Sequence, residues 1–446
     1  MSCLRLLIIS NGHGEDVVGA RLAEGLARTL PWLEIEAFPL VGLGSAYQEA
    51  GVAVSGPRKA LPAAGLTLHH YKLFTADIAA GLLPLTFAQL RHLRRARPAA
   101  VLVVGDAYAQ ALAELVAAPR RVLQPLVSIK QSYDLTGQRL TSTLWHRAFM
   151  ERIRAPERWL MSRADKVYTR DSETAAWLRS RGIEQAVALG NPVMDGLDAA
   201  PLSILESAAE GTIVVAMLPG SRGYATRSLR LMARALMRLA SSPHKGGAAV
   251  KVRGLVAWAP TELPAAEDGW LSVEEPATLA TAEGAGGAGI AGVAGVAGVA
   301  AVWRPAPTKP NDGTVGERNL VAPDVEILFV RQQLAAVLAS SEVVLGTAGT
   351  ANEQAAGRGL PVISFAVEPE YGSAFLANQE RLLGGAMRVV EAEPAALAEA
   401  VMAAGPGSAH RRTAAVAGPQ RMGPPGGTAA LVADLSDWLG VVRLRQ

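Results

Sequence analysis

The chain is short of the residues that would declare its chemistry at once. Its 446 residues contain a single cysteine, Cys3, so no intrachain disulfide and no CxxC metal site can form. A reducing cytoplasm is the expected compartment. DxD, the pattern that clamps a metal–diphosphate pair, does not occur. Nor does Gly-x-Gly-x-x-Gly: Gly12, Gly14 and Gly19 are spaced differently, which argues against dinucleotide binding. The opening apolar stretch is too short for a signal peptide and reads as a buried strand.

Long hydrophobic runs are missing as well. "IAAGLLPLTFAQL" (78–90) is 13 residues long and contains Pro84, too short for a membrane span. "GAGGAGIAGVAGVAGVAAVW" (284–303) is uncharged, but it is mostly Gly and Ala, weakly hydrophobic and a poor helix former. It reads as part of a low-complexity loop insertion, 282–302. Strong charge of either sign is absent too: net charge is +3. So small an excess excludes dedicated nucleic-acid binding and allows anionic ligands or lipid surfaces.

Half the residues are hydrophobic and 19% are charged, a globular composition. The length suits two domains. Strand-like and helix-like patterns alternate. "LRLLIIS" is a buried-strand run, after which Val18, Leu22, Leu26 and Leu30 recur at helical spacing. Strands are expected at 34–41, 100–106, 123–129, 166–170 and 186–190, then at 212–218, 250–257, 342–346, 360–365 and 386–390. This alternation predicts α/β architecture with doubly wound parallel sheets. The pattern lapses at 199–211. The expected division is therefore 1–200, 211–427 and a C-terminal helix and tail, 428–446. Residues 260–325 carry little pattern.

In doubly wound domains ligands bind beyond the strand C-termini, which singles out four loops. "GTAGTANEQAAG" (346–357) follows a strand and starts a helix with small residues. Free N–H groups there favour an anion, with Thr347, Ala348, Gly349, Thr350, Asn352, Glu353 and Gln354 as candidate donor-site residues. "LPGSR" (218–222) repeats the device with Gly220, Ser221 and Arg222, whose guanidinium suits a phosphate or fixed ring acceptors. "SNGHGED" (10–16) places Asn11, Gly12 and Gly14 where a backbone can approach an acceptor. His13, Glu15 and Asp16 there are candidate base or hydroxyl anchor, with helix capping as the plainer role for Asp16. One histidine and two acids make a poor metal set, so no metal or cofactor is expected. Asp106 ends the strand in "VVGD" and is the first candidate for a general base.

These motifs resemble lipid-A-disaccharide synthases, and most closely the proteins called lipid-A-disaccharide-synthase-related. "LPGSR" and the "GT…P-V" loop carry the resemblance. "NGHGED", "VVGDAYA" (103–109) and "GNPVMD" (190–195) follow in the family's order. The resemblance implies two Rossmann-like domains facing across a cleft, the GT-B arrangement. It also implies an inverting, metal-independent transfer of a sugar from a nucleotide donor, with a bias to UDP, to a lipid-linked or amphipathic acceptor. Asp106 or His13 would be the base. One departure stands out: Gln354, seven residues before Pro361, occupies the place of a glutamate that holds the ribose. "TANEQAA" also resembles the matching segment of UDP-GlcNAc 2-epimerases, which leaves a UDP-sugar 2-epimerase open. A non-catalytic nucleotide-sugar or lipid-binding protein is the third reading.

Two basic, aromatic stretches fit an anionic lipid surface. In "FAQLRHLRRARP" (87–98), Arg91, Arg94 and Arg95 stand beside Phe87, Leu90 and Leu93. In 142–163, Trp145, Phe149, Ile153 and Trp159 stand among arginines. They suggest peripheral contact with the inner face of the cytoplasmic membrane.

Overall fold

In the computed structural model the described residues are 4–59, 78–131, 153–203, 211–241, 250–260, 262–266, 270–274, 299–305, 324–331 and 333–445. They form two compact units. One comprises Met1–Asp195 together with Gly423–Gln446, and the other Gly196–Met422.

The first unit is built on seven strands: β1 (Leu4–Ser10), β2 (Leu33–Pro39), β3 (Ala53–Val54), β4 (Ala100–Val104), β5 (Arg120–Gln124), β6 (Lys166–Thr169) and β7 (Ala186–Ala188). They pair in parallel in the order β3-β2-β1-β4-β5-β6-β7. Helices α1 (His13–Thr29), α2 (Ser45–Glu49), α3 (Leu82–Leu93), α4 (Ala107–Ala113), α5 (Ala155–Ser162) and α6 (Ser172–Arg179) connect them. The apolar runs are continuous because the sheet is covered on both faces. Leu4, Leu6 and Ile8 of β1 enter one core with Leu22 and Leu26 of α1. Leu7 and Ile9 enter the other, with Leu112, Met161 and Leu178. This is the two-residue period of a strand.

The second unit holds β8 (Ile213–Leu218), β9 (Val252–Trp258), β10 (Trp270–Glu274), β11 (Val299–Pro305), β12 (Val325–Arg331), β13 (Val343–Gly346), β14 (Val362–Ser364) and β15 (Met387–Val389). Their order is β10-β11-β12-β9-β8-β13-β14-β15. Helices α7 (Ala225–Ala240), α8 (Leu334–Ala339), α9 (Thr350–Gly357), α10 (Ser373–Leu383), α11 (Pro394–Ala403) and α12 (Ala409–Met422) belong to it. In α7, Leu229, Met232, Leu236 and Leu239 face the core while Arg227, Arg230, Arg234 and Arg238 face solvent, the stripe of an amphipathic helix.

Two expectations need correction. The sheet is not purely parallel: β10–β11 and β11–β12 pair antiparallel. The end of the Gly/Ala run is not loop, since Val299–Pro305 is a strand and Ala301, Val302 and Trp303 are buried. The remainder of that run lies outside the described residues. The last helix, α13 (Gly427–Leu444), lies where the sequence places a helix. It packs Leu431, Leu435, Trp438 and Leu439 into the first unit's core. A Cβ on Gly25 of α1 would stand 2.6 Å from Val432, so glycine lets the two helices approach.

The "GNPVMD" segment anchors this return. Asp195 accepts hydrogen bonds from the backbone N–H groups of Gly426 and, at 2.6 Å, Thr428. Arg21 donates to the Asp195 carbonyl at 2.8 Å. Asp195 thus caps α13 from a distance in sequence, satisfying N–H groups that a helix start leaves open. Asp195→Ala is expected to lower stability by about 1 kcal/mol, the worth of a helix cap. Hydrogen exchange should speed up first at 427–431; unchanged exchange there would show that Asp195 is not the cap.

Candidate functional site

Among its parallel strands each sheet reverses its order once, and each such reversal opens a crevice at the strand C-termini. In the first unit it lies between β1 and β4. The loops that leave them are those of "NGHGED" and "GDA".

Asn11, buried at the end of β1, donates from Nδ2 to Asp106 Oδ1 at 2.7 Å. That one bond ties the opening loop to the Asp106 loop. Between β4 and Asp106, Gly105 has φ +151°, a region that side chains avoid. A Cβ there would also sit 2.1 Å from Asn11 Oδ1. Asp106 is half-buried and caps α4, accepting from the Tyr108 N–H at 2.9 Å on the same Oδ1. Burial pushes its carboxyl above the usual aspartate range, against the bonds from Tyr108 and Asn11 that pull it down. The capping role and a role as base coexist in one side chain.

The other opening-loop residues separate. His13 is exposed at the first position of α1, and Gly14 is half-buried. The Glu15 carboxylate lies over Gly12, which is the N-cap residue. Asp16 neither caps the helix nor reaches the surface. It turns inward and accepts from Ser10 Oγ at 2.6 Å, while Tyr47 donates to that same hydroxyl at 3.0 Å. All three are buried. Burial raises the Asp16 carboxyl to about 7, with the Ser10 bond opposing. A direct role for Asp16 as base or hydroxyl anchor is therefore set aside.

Sequence reasoning passed over Glu157. It lies in α5, 4% exposed, inside the stretch read as a lipid-facing surface. Its Oε1 accepts from Gln124 at 2.7 Å and from Gln110 at 3.3 Å. Gln110 also reaches the Gly105 carbonyl at 3.2 Å. Burial first, then the nearby Asp106 charge, raises the Glu157 carboxyl to about 8. Nearby Ile153 is core, whereas Trp159 is exposed beneath Arg163. In α3, Leu93 is buried, while Leu83 and Phe87 are exposed. Trp145 and Phe149 lie outside the described residues.

In the second unit the reversal lies between β8 and β13, flanked by "PGSR" and "TAGT". Four successive carbonyls of the β13 loop are held from within. Gly346 O accepts from Asn352 and Ser364, and Thr347 O from Tyr224 at 2.9 Å. Ala348 O accepts from Gln379 at 3.2 Å, and Gly349 O accepts from the same amide at 2.9 Å. In a trans peptide the next N–H points opposite to the carbonyl. The N–H groups of Ala348, Gly349 and Thr350 thus lie opposite carbonyls held by Tyr224 and Gln379, at the start of α9.

Thr347 and Asn352 serve this loop from inside rather than a ligand. Thr347 donates its N–H to Leu218 O and its hydroxyl to Ser228. Asn352 is fully buried, and its Oδ1 lies where a Cβ on Gly346 would be, 1.9 Å away. Glu353 and Gln354 are each 7% exposed. Gly220, at φ +88°, turns the chain after β8. Ser221 is exposed, and Arg222 is half-exposed beside the Tyr224 hydroxyl. Tyr224, Tyr371, Ser364 and Gln379 carried no sequence signal. Among the described residues, no three of His, Cys, Asp and Glu gather as a metal site.

Comparison with known proteins places the fold. No family model matches the chain, and no curated protein does. Among solved structures it is similar to CalG4, the calicheamicin glycosyltransferase, at 16% identity over 99% of both chains, with a TM-score of 0.56. The chain has the GT-B fold. It is similar also to S. aureus MnaA in its UDP co-structure, at 12% identity over 98% of this chain and 97% of that one, TM-score 0.54. A UDP-N-acetylglucosamine 2-epimerase follows at 10% identity over 99% and 98%, TM-score 0.50.

Proposed function

We propose that the chain is an inverting, metal-independent glycosyltransferase that moves a sugar from a UDP-sugar to a lipid-linked or amphipathic acceptor. The observation that carries this reading is the loop after β13, whose carbonyls at 346–349 are held by buried side chains, with the amides of 348–350 on the opposite side of those peptides at a helix start. Such amides suit the diphosphate of a donor. Arg222, Ser221 and Gly220 would complete the donor side, with Glu353 or Gln354 at the ribose. Asp106 would take the proton of the acceptor hydroxyl as its oxygen attacks the anomeric carbon. Asn11 holds that carboxyl in place, and burial gives it the proton affinity a base needs. As the bond to the nucleotide breaks, the charge released on the diphosphate would fall to the loop amides and Arg222. His13 and Glu15, with Gly12 and Gly14, would line the acceptor side.

Peripheral contact with an anionic membrane belongs to the same reading. Leu83 and Phe87 are 51% and 71% exposed, with exposed Arg91, Arg94 and Arg95 following. Among the described residues no helix is long and apolar enough to cross a membrane.

Thermal unfolding with UDP, GDP, dTDP and CDP tests the donor assignment. A nucleotide at about 100 times its dissociation constant adds roughly 2.7 kcal/mol. The expected result is a UDP-selective rise in Tm that Arg222→Ala largely removes and Gln354→Ala reduces. No rise with any nucleotide would overturn the donor site. A second reading, UDP-sugar 2-epimerase, draws on the fold likeness to a UDP-N-acetylglucosamine 2-epimerase. It predicts interconversion of two UDP-sugars with no acceptor present.

A further inference from the structure

Glu157 has no part in the chemistry so far, yet it is the costlier of two side chains that would fit its place. Both of its neutral donors, Gln110 and Gln124, converge on Oε1. A glutamine at 157 would accept both bonds through its own carbonyl oxygen and bring no ionisable group into the core. A carboxyl there costs folding free energy whenever it ionises.

Its surroundings point at Asp106. Gln110 spans from Glu157 Oε1 to the carbonyl of Gly105, the residue that sets the Asp106 backbone. Gln124 ends β5, next to β4, which leads into Asp106. The charged groups acting on Glu157 are Asp106, which opposes its ionisation, and Arg154, just before α5, which favours it. One glutamine amide separates Glu157 Oε1 from the Gly105 carbonyl of the peptide that leads into Asp106, and interacting carboxyls lose their protons as a pair, not independently.

We propose that Glu157 is a positioning residue for Asp106, the second carboxyl of a coupled pair whose own protonation sets how strongly Asp106 binds a proton. With Glu157 neutral, Asp106 ionises against burial alone. Once Glu157 ionises as well, repulsion between the two makes Asp106 hold a proton more tightly and act as a stronger base. The catalytic consequence rests on Asp106 being the base. The coupling itself does not.

The test is pH-dependent infrared difference spectroscopy of the full chain, following protonated carboxyl bands. Glu157→Gln should delete a band that persists to about 8 in the unaltered protein, which identifies it. In Asp106→Asn, whose Oδ1 can still accept from Asn11 and Tyr108, the midpoint of that band should fall by about one pH unit. An unmoved midpoint overturns the proposal, and so does the absence of a band lost in Glu157→Gln. Retained near-ultraviolet dichroism in both variants shows that the fold is intact. Sugar transfer by Asp106→Asn is assayed separately. If transfer survives while the midpoint falls, the coupling stands and the base assignment fails.

Discussion

Asp106→Asn should lower kcat for sugar transfer by about 10²- to 10⁴-fold, the range for loss of a general base, and leave the UDP-induced rise in Tm unchanged. The substitution is selective because of how Asp106 is held. Asn11 Nδ2 and the Tyr108 N–H both donate to Oδ1, and an asparagine oxygen accepts both. The α4 cap and the tie between the two loops persist; only basicity is lost. The proposed donor residues all belong to the second unit and none of them bonds Asp106. The product anomer is informative in the same assay, since a single displacement inverts it. Retention would remove this mechanism, and an unaltered kcat would remove Asp106 from it. His13→Ala is the matched control: His13 is exposed, and a fall as large as that of Asp106→Asn would move the base to the opening loop.

The four loops stood out in the sequence because a strand that ends in a crevice advertises itself. An apolar run stops, small residues follow, and a helical period begins. Gly105, Gly220 and Gly346 mark such ends, and the reason for each is steric. The donor loop's support was hidden for the opposite reason. Tyr224, Tyr371 and Gln379 are ordinary helix or loop residues until folding brings them against three successive carbonyls. Thr347 and Asn352 sat in the right motif, yet they look inward, because a motif fixes a loop and not the direction of each side chain.

Burial explains the remaining discrepancies. The stretch around α5 looked like a basic, aromatic surface. Its inward face carries Ile153, Glu157 and Met161, and a single acid among arginines gives no sign of being the buried one. The Gly/Ala run has no alternation, so β11 was illegible; its place comes from pairing with β10 and β12. The last helix was legible as a helix but not by destination. Its apolar stripe fits either sheet; Asp195, Gly25 and the ties from Arg121 and Lys166 to Asp434 commit it to the first unit.

The second large effect concerns stability. Asp16 is raised from 3.8 to about 7 in the folded chain, roughly three pH units or about 4 kcal/mol. Below about pH 4 the carboxyl is protonated in both states, and this contribution to stability is complete. Between there and about 7 the unfolded chain releases the proton while the folded chain keeps it, so stability falls as pH rises. Above that range both states are ionised and the loss is complete. In Asp16→Asn the amide oxygen can still accept from Ser10, and nothing titrates. The stability of the variant minus that of the unaltered protein should therefore climb by about 4 kcal/mol from pH 4 to pH 8, measured by urea unfolding at each pH. Glu157 contributes the same slope to both proteins and cancels. A flat difference would mean that Asp16 is ionised in the fold and already balanced by its neighbours. The slope is what it costs to place an acid under the first turn of α1. There Asp16 fixes the Ser10 hydroxyl on which Tyr47 also bears, at the strand end from which Asn11 reaches Asp106.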